Sequence, residues 1–138
     1  MKQGILYTDG GSRGNPGPSA SGAVLFGIDL HGNLTKELAR KGEYIGETTN
    51  NIAEYKALVI GLELAIKQGI DALTCLLDSE LIVKQLNGEY KIKNAGLQPL
   101  AAAIKALAKS FKNIEYKHVR RQQNKIADAI VNEVLDAH

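Results

Sequence analysis

The spacing of hydrophobic positions changes period once along the chain, near residue 50. Before it, the pattern is that of strands. Ile5-Leu6-Tyr7-Thr8 reads as a short buried strand running into a dense turn made by the glycines of residues 10–17 with Pro16 and Pro18. Ala20 to Ile28 reads as a second strand, Asp29 to Asn33 as a hairpin turn, and Leu34 to Ile45 as a third strand. The three are expected to form an antiparallel meander. After the change, Ile52, Tyr55, Val59, Leu62 and Ile66 recur at intervals of 3, 4, 3 and 4, an amphipathic helix stopped by Gly69. Ala72 to Leu77 is a continuous apolar run, which predicts a central strand buried on both faces. A short helix from Ser79 to Leu86, a helix from Pro99 to about Phe111, a strand from Ile114 to Val119 and a terminal helix bearing Ile126, Ile130 and Val134 complete the pattern. The order β-β-β-α-β-α-α-β-α predicts an α/β fold: a mixed sheet, antiparallel then parallel, with helices packed on it. Residues 1–138 are expected to form a single domain, since 138 residues can bury a core without metal or disulfide staples.

Composition narrows the class. Hydrophobic residues make up 44% and charged residues 23%, which argues against disorder. Cys75 is the one cysteine, so no intrachain disulfide forms, and a Cys/His zinc site is excluded because His31, His118 and His138 lie far from it and from each other. No apolar run reaches the ~18 residues of a membrane helix. Met1-Lys2-Gln3-Gly4 leads directly into a strand-like run. A cytoplasmic monomer without membrane association is the expectation. The net charge of +2 conceals an asymmetry. Residues 1–80 hold 7 Lys/Arg against 10 Asp/Glu, and residues 81–138 hold 10 against 5. All ten of the later cations fall between Lys84 and Lys125, which suits a polyanionic partner or, equally, a solvated lysine-rich face.

The candidate chemistry is carboxylate chemistry. Asp9 ends the first predicted strand and Asp78 ends the apolar run, while Glu54 and Asp128 fall in the first turns of the first and last long helices. Strand ends at a crossover are where α/β sheets place ligands. Four clustered carboxylates repel and need cations, and oxygen-only ligands suit Mg²⁺ or Mn²⁺. Each residue also has a structural explanation: a turn at Asp9-Gly10-Gly11, a capping box at Asn51-x-x-Glu54, an N-cap pair at Asp78-Ser79, and a solvated helix position at Asp128. Asp9 and Asp78 weigh against that explanation together, because both directly follow apolar strands. No G-x-G-x-x-G, Walker loop or G-x-S-x-G elbow is present.

Four segments carry a resemblance to type 1 ribonuclease H that covers nearly the whole chain. They are the opening Tyr7-Thr8-Asp9-Gly10-Gly11-Ser12-Arg13-Gly14-Asn15-Pro16-Gly17-Pro18; Thr48-Thr49-Asn50-Asn51-Ile52-Ala53-Glu54; Leu77-Asp78-Ser79-Glu80; and His118-Val119-Arg120-Arg121-Gln122-Gln123-Asn124-Lys125-Ile126-Ala127-Asp128. The last is similar to the H-V-x-R-x-x-N-x-x-A-D segment of one subgroup. The resemblance implies a ribonuclease H-like five-stranded sheet and hydrolysis of the RNA strand of RNA–DNA hybrids, leaving 5′-phosphate and 3′-hydroxyl ends. It also implies two Mg²⁺ ions, with Mn²⁺ as a substitute: Asp9 bridging them, Asp128 on the side of the attacking water, and Glu54 and Asp78 on the leaving-group side. Asn15 and Thr49 are implied as contacts to a DNA phosphate, and Asn50 and Asn51 as readers of the minor groove, where the 2′-hydroxyl separates RNA from DNA.

The chain departs from the family in three places. The mobile-loop histidine of some members is absent, only Arg120 to Gln123 intervening between Val119 and Asn124. Glu80 stands where other members have glutamine beside the hybrid. Residues 88–98 are too short for the basic protrusion of some members, with Lys91 and Lys93 as partial replacements. Double-stranded RNA is therefore kept as a further substrate. A non-catalytic hybrid-binding module is the competing class, and the presence of all four carboxylates argues against it.

Overall fold

A computed structural model describes residues 2–138; the reading made at Met1 lies outside them. The described residues form strands β1 (Gln3–Ser12), β2 (Gly17–Ile28), β3 (Leu34–Thr48), β4 (Ala72–Leu77) and β5 (Asn113–His118), and helices α1 (Asn50–Lys67), α2 (Glu80–Leu86), α3 (Gln98–Ala108) and α4 (Lys125–Asp136). The strands make one sheet in the order β3-β2-β1-β4-β5. β1 pairs antiparallel with β2, and β2 with β3, while β4 runs parallel to both β1 and β5. The α/β architecture and element order expected from the sequence are those observed.

The differences lie at element ends. The predicted turn over residues 10–17 shrinks to Arg13–Pro16, closed by a cis Asn15–Pro16 peptide, because β1 and β2 pair out to Ser12 and Ser19. Cross-strand pairing overrides the weak strand preference of Gly10, Gly11 and Gly17. Asp9 therefore lies within β1, opposite Gly22, and not at its end. β4 is not buried on both faces: Leu73, Cys75 and Leu77 are buried, but Ala72, Thr74 and Leu76 are half-buried. A short 3₁₀ turn, Arg121–Gln123, precedes α4 and was not expected from the sequence.

Two helices cover opposite faces of the sheet. On one face α1 buries Tyr55, Leu58 and Leu62 against Leu6, Leu25 and Leu73, and α3 extends this core with Ile104. The Tyr55 hydroxyl, whose ring is fully buried, donates to Gln85 Oε1 at 2.6 Å, which satisfies its polar tip. On the other face α4 lays Val131 and Leu135 on Ala20. Among the described residues no helix is long and apolar enough to cross a membrane.

Close approach of each helix depends on missing side chains. A Cβ at Gly10 would sit 2.3 Å from the Ala53 carbonyl carbon and the Glu54 nitrogen, so the first turn of α1 rests directly on the β1 backbone. Gly22 does the same for α4, where a Cβ would stand 2.9 Å from the Ala127 carbonyl oxygen. Both contacts are backbone to backbone and cannot be relieved by a rotamer change. Gly10→Ala should therefore lower stability by about 3 kcal/mol through overpacking. Gly32→Ala, at φ +82° but facing open space, should cost only about 1 kcal/mol. Urea unfolding of the two variants checks the difference; equal losses would show that α1 can move off β1 without penalty.

Candidate active site

The close contact at Gly10 places Ala53 and Glu54 beside the residue before it; Glu54 is the fifth residue of α1 and not in the first turn expected for it, because the helix starts at Asn50. Glu54 thereby meets Asp9 from β1, and Asp78, which follows β4 in the neighbouring parallel strand, completes a group. Asp9, Glu54 and Asp78 each present an oxygen within 4.8 Å of one another. Asp128, from the first turn of α4, reaches Asp9 closely enough for their carboxyls to share a hydrogen bond. The four residues singled out in the sequence converge, as the fold places them.

All four carboxylates are half-buried. Burial raises the pKa of Asp9 from its ordinary 3.8 to about 8, with the charges of Asp78, Glu54 and Asp128 adding to the effect. Glu54 rises from 4.5 to about 7, again by burial first and then by Asp78; a hydrogen bond from Ser79 and the charge of Arg121 act in the opposite direction. Among the described residues no lysine or arginine forms an ion pair with any of the four. A hard divalent cation fits this donor set: oxygen ligands only, clustered and, among the described residues, without an ion-paired lysine or arginine.

Asp9, Glu54 and Asp128 open into a cleft of about 400 Å³, lined further by Ser12, Arg13, Asn50, Arg121 and Asn132. Asn132 Nδ2 donates to the Asp128 carbonyl at 3.2 Å, one turn back along α4. The rim beside α1 is a hydrogen-bonded tie between the β1–β2 turn and the helix start. Asn50 Oδ1 accepts from Ser12 N at 2.8 Å, and Asn15 Oδ1 accepts from Asn50 N at 3.1 Å. Thr49, not Asn50 or Asn51, caps α1: its hydroxyl accepts from Ile52 N at 3.3 Å. The capping box expected at Asn51 and Glu54 is thus corrected, because the helix starts at Asn50 and leaves Asn51 exposed in its first turn. Ser79 does cap α2. Lys91 and Lys93 are exposed in the segment between α2 and α3 and are not brought to the cleft wall.

Two functional neighbours escaped the sequence reading. Arg121 lies in the 3₁₀ turn before α4 and lines the cleft. Asn124 is fully buried, and its Nδ2 donates both to the Thr8 carbonyl (2.8 Å) and to Asp78 Oδ2 (3.1 Å). Both occupy the fixed Arg and Asn positions of the H-V-x-R-x-x-N-x-x-A-D segment from His118 to Asp128, a signal present in the sequence from which no role was read.

Residues 7–134 match the family described as reverse transcriptase-like. A ribonuclease HI from Halobacterium salinarum is 42% identical over 130 residues, covering 94% of this chain and 63% of that protein. The N-terminal ribonuclease H domain of Rv2228c from Mycobacterium tuberculosis superposes with a TM-score of 0.91 at 39% identity, covering 99% of this chain and 96% of that one. LC11-RNase H1, solved in complex with an RNA/DNA hybrid, superposes with a TM-score of 0.82 at 41% identity over 94% of each chain. The bifunctional protein Rv2228c as a whole is 42% identical over 133 residues, and the chain spans about a third (35%) of its length. The chain belongs to the reverse transcriptase-like family, and its relatives place it with the type 1 ribonucleases H.

The raised carboxyls have a thermodynamic signature. A proton held more tightly in the folded than the unfolded state makes stability fall as pH rises between the two pKa values. Metal-free protein should therefore lose stability from about pH 4 to about pH 8, the interval bounded by the ordinary and raised values of Asp9. Asp9→Asn should flatten that slope and raise the metal-free Tm at pH 8 by several degrees. Thermal melting in chelator across this range checks both; a flat wild-type profile would show that the carboxyls are not destabilised.

Proposed function

We propose that this chain acts as one catalytic domain, an endoribonuclease that hydrolyses the RNA strand of RNA–DNA hybrids to 5′-phosphate and 3′-hydroxyl ends. The observation that carries the reading is the meeting of Asp9, Glu54 and Asp78 within 4.8 Å, with Asp128 beside Asp9, at a cleft in the sheet surface. The substrate class is supported by LC11-RNase H1, whose structure holds such a hybrid. The single cysteine is buried and forms no disulfide, which is compatible with a cytoplasmic location.

Asp9, Glu54, Asp78 and Asp128 would hold the two Mg²⁺ ions that this activity needs; Mn²⁺ has the same ligand preference. Such a pair supplies an activated water and charge stabilisation of the attacking and departing oxygens. The remaining work falls to the chain. Asp9 and Glu54 must release the protons that their raised pKa values retain, which a bound cation promotes. Arg13 and Arg121, both exposed at the cleft, offer guanidinium charge to a phosphate backbone. Lys91 and Lys93 are proposed to contact phosphates further along the duplex. Asn15 and Thr49 already spend side-chain oxygens on Asn50 N and Ile52 N, so what remains for a DNA phosphate is the Asn15 amide and the Thr49 hydroxyl proton. Asn50 commits its oxygen to Ser12 and keeps its amide as a donor at the cleft wall, suited to a minor-groove acceptor or a 2′-hydroxyl. Asn51, exposed one residue on, is its companion.

Labelled RNA–DNA hybrid, double-stranded RNA and double-stranded DNA, incubated in parallel with Mg²⁺, Mn²⁺ or chelator, test the reading. Cleavage of the hybrid with either ion and none in chelator is expected. Asp9→Asn and Asp78→Asn should each lower kcat by at least 10³-fold, in the order of losing a principal electrostatic contributor. Near-normal cleavage by Asp9→Asn would overturn the metal assignment, and preference for double-stranded RNA would overturn the substrate. Asn50→Asp retains the oxygen that Ser12 N needs but loses the amide donor and adds charge beside the phosphates. Its unfolding free energy should stay within about 1 kcal/mol of wild type while KM for the hybrid rises. An unchanged KM would confine Asn50 to tying the turn to the helix.

A further inference from the structure

Asn124 touches the carboxylate group from the protein interior. It is fully buried, so it cannot meet substrate. Its Nδ2 has two protons, and both are spent on acceptors: the Thr8 carbonyl at 2.8 Å and Asp78 Oδ2 at 3.1 Å. Two acceptors on one side fix the amide orientation, because the reversed amide would set oxygen against oxygen twice. The backbone of the same residue is committed as well, since its carbonyl accepts from Asp128 N at 3.1 Å in the first turn of α4. Asn124 thus binds the residue before Asp9, the side chain of Asp78 and the amide of Asp128.

Its side-chain oxygen is buried without a hydrogen-bond partner, as is the Thr8 hydroxyl nearby. Leaving such groups unpaired costs stability, and a residue of similar size without polar atoms would avoid the cost. Anchoring α4 alone needs no contact with Asp78. What the amide adds is a fixed donor on one oxygen of that carboxylate, which restricts the rotation of a group that presents an oxygen within 4.8 Å of Asp9 and Glu54.

We propose that Asn124 is a positioning residue that presets the Asp78 carboxylate for divalent cation binding and locks α4, with Asp128, to the middle of β1 and the end of β4. The proposal rests on the metal-binding reading above and deepens it. Outer hydrogen bonds of this kind typically govern metal affinity by 10–100-fold.

The test is calorimetric titration of Mn²⁺ into wild-type protein and Asn124→Ala, well below both melting temperatures, with binding of uncleaved hybrid measured in chelator. Asn124→Ala is expected to weaken Mn²⁺ binding by about tenfold or more and to leave hybrid binding in chelator within about twofold of wild type, since the buried amide never meets the duplex. A lower Tm with unchanged Mn²⁺ affinity would overturn the proposal and leave Asn124 a structural anchor. Should Asn124→Ala not fold, the side-chain amide protons of wild-type Asn124 are followed by NMR during a Mg²⁺ titration. They should exchange slowly with water and shift with the midpoint of ion binding; resonances that do not move would overturn the proposal. Hybrid cleavage by the wild type is assayed alongside. A wild type that binds Mn²⁺ without cleaving hybrid refutes the proposed activity and leaves the role of Asn124 standing.

Discussion

The site depends on a contact between two backbones. At Gly10 the first turn of α1 rests on β1 with no room for a Cβ, and this sets Glu54 beside Asp9. On the opposite face Gly22 lets α4 approach closely as well, though less so, and Asp128 comes with it. The sheet register supplies the last member. β1 and β4 run parallel, with Tyr7 level with Leu76, so Asp9 and Asp78 leave adjacent strands at neighbouring heights. Two missing side chains and one parallel pairing are sufficient to bring together residues from four separate elements.

The same geometry opposes stability. Half-buried acids within 4.8 Å of each other suffer loss of hydration and mutual repulsion, and both effects hold protons on Asp9 and Glu54. The rest of the fold must tolerate this arrangement. The large apolar core between α1, α3 and the sheet lies on one side of it, and the smaller cluster of Ala20, Val131 and Leu135 on the other. Strain of this kind is commonly confined to functional sites. Here it is met locally by Ser79 and Asn124, which donate to Glu54 and Asp78.

Much of the fold was legible because its elements repeat their periods cleanly. The 3-4 spacing from Ile52 to Ile66 becomes α1, and the apolar run from Ala72 becomes β4. Asp78 and Asp128 were legible because each sits at an element boundary, whereas the strand end read at Asp9 is not one, since β1 continues to Ser12. What stayed hidden depends on distant partners. Gly10 and Gly11 look like a turn until β2 pairs with them. Thr49 takes the cap that Asn51 seemed to hold because the helix begins two residues earlier than the Asn51 reading requires. Asn124 matters through Thr8, 116 residues away, and no local window contains that relation.

The positions of the carboxylates bear on how the protein folds. Asp9, Glu54, Asp78 and Asp128 are widely separated along the chain. Pairings across such separations form late in folding, after loop closure has been compensated by other contacts. The carboxylate cluster therefore stays incomplete until α4 docks on β2, and the close approach that Gly22 permits is the step that completes it.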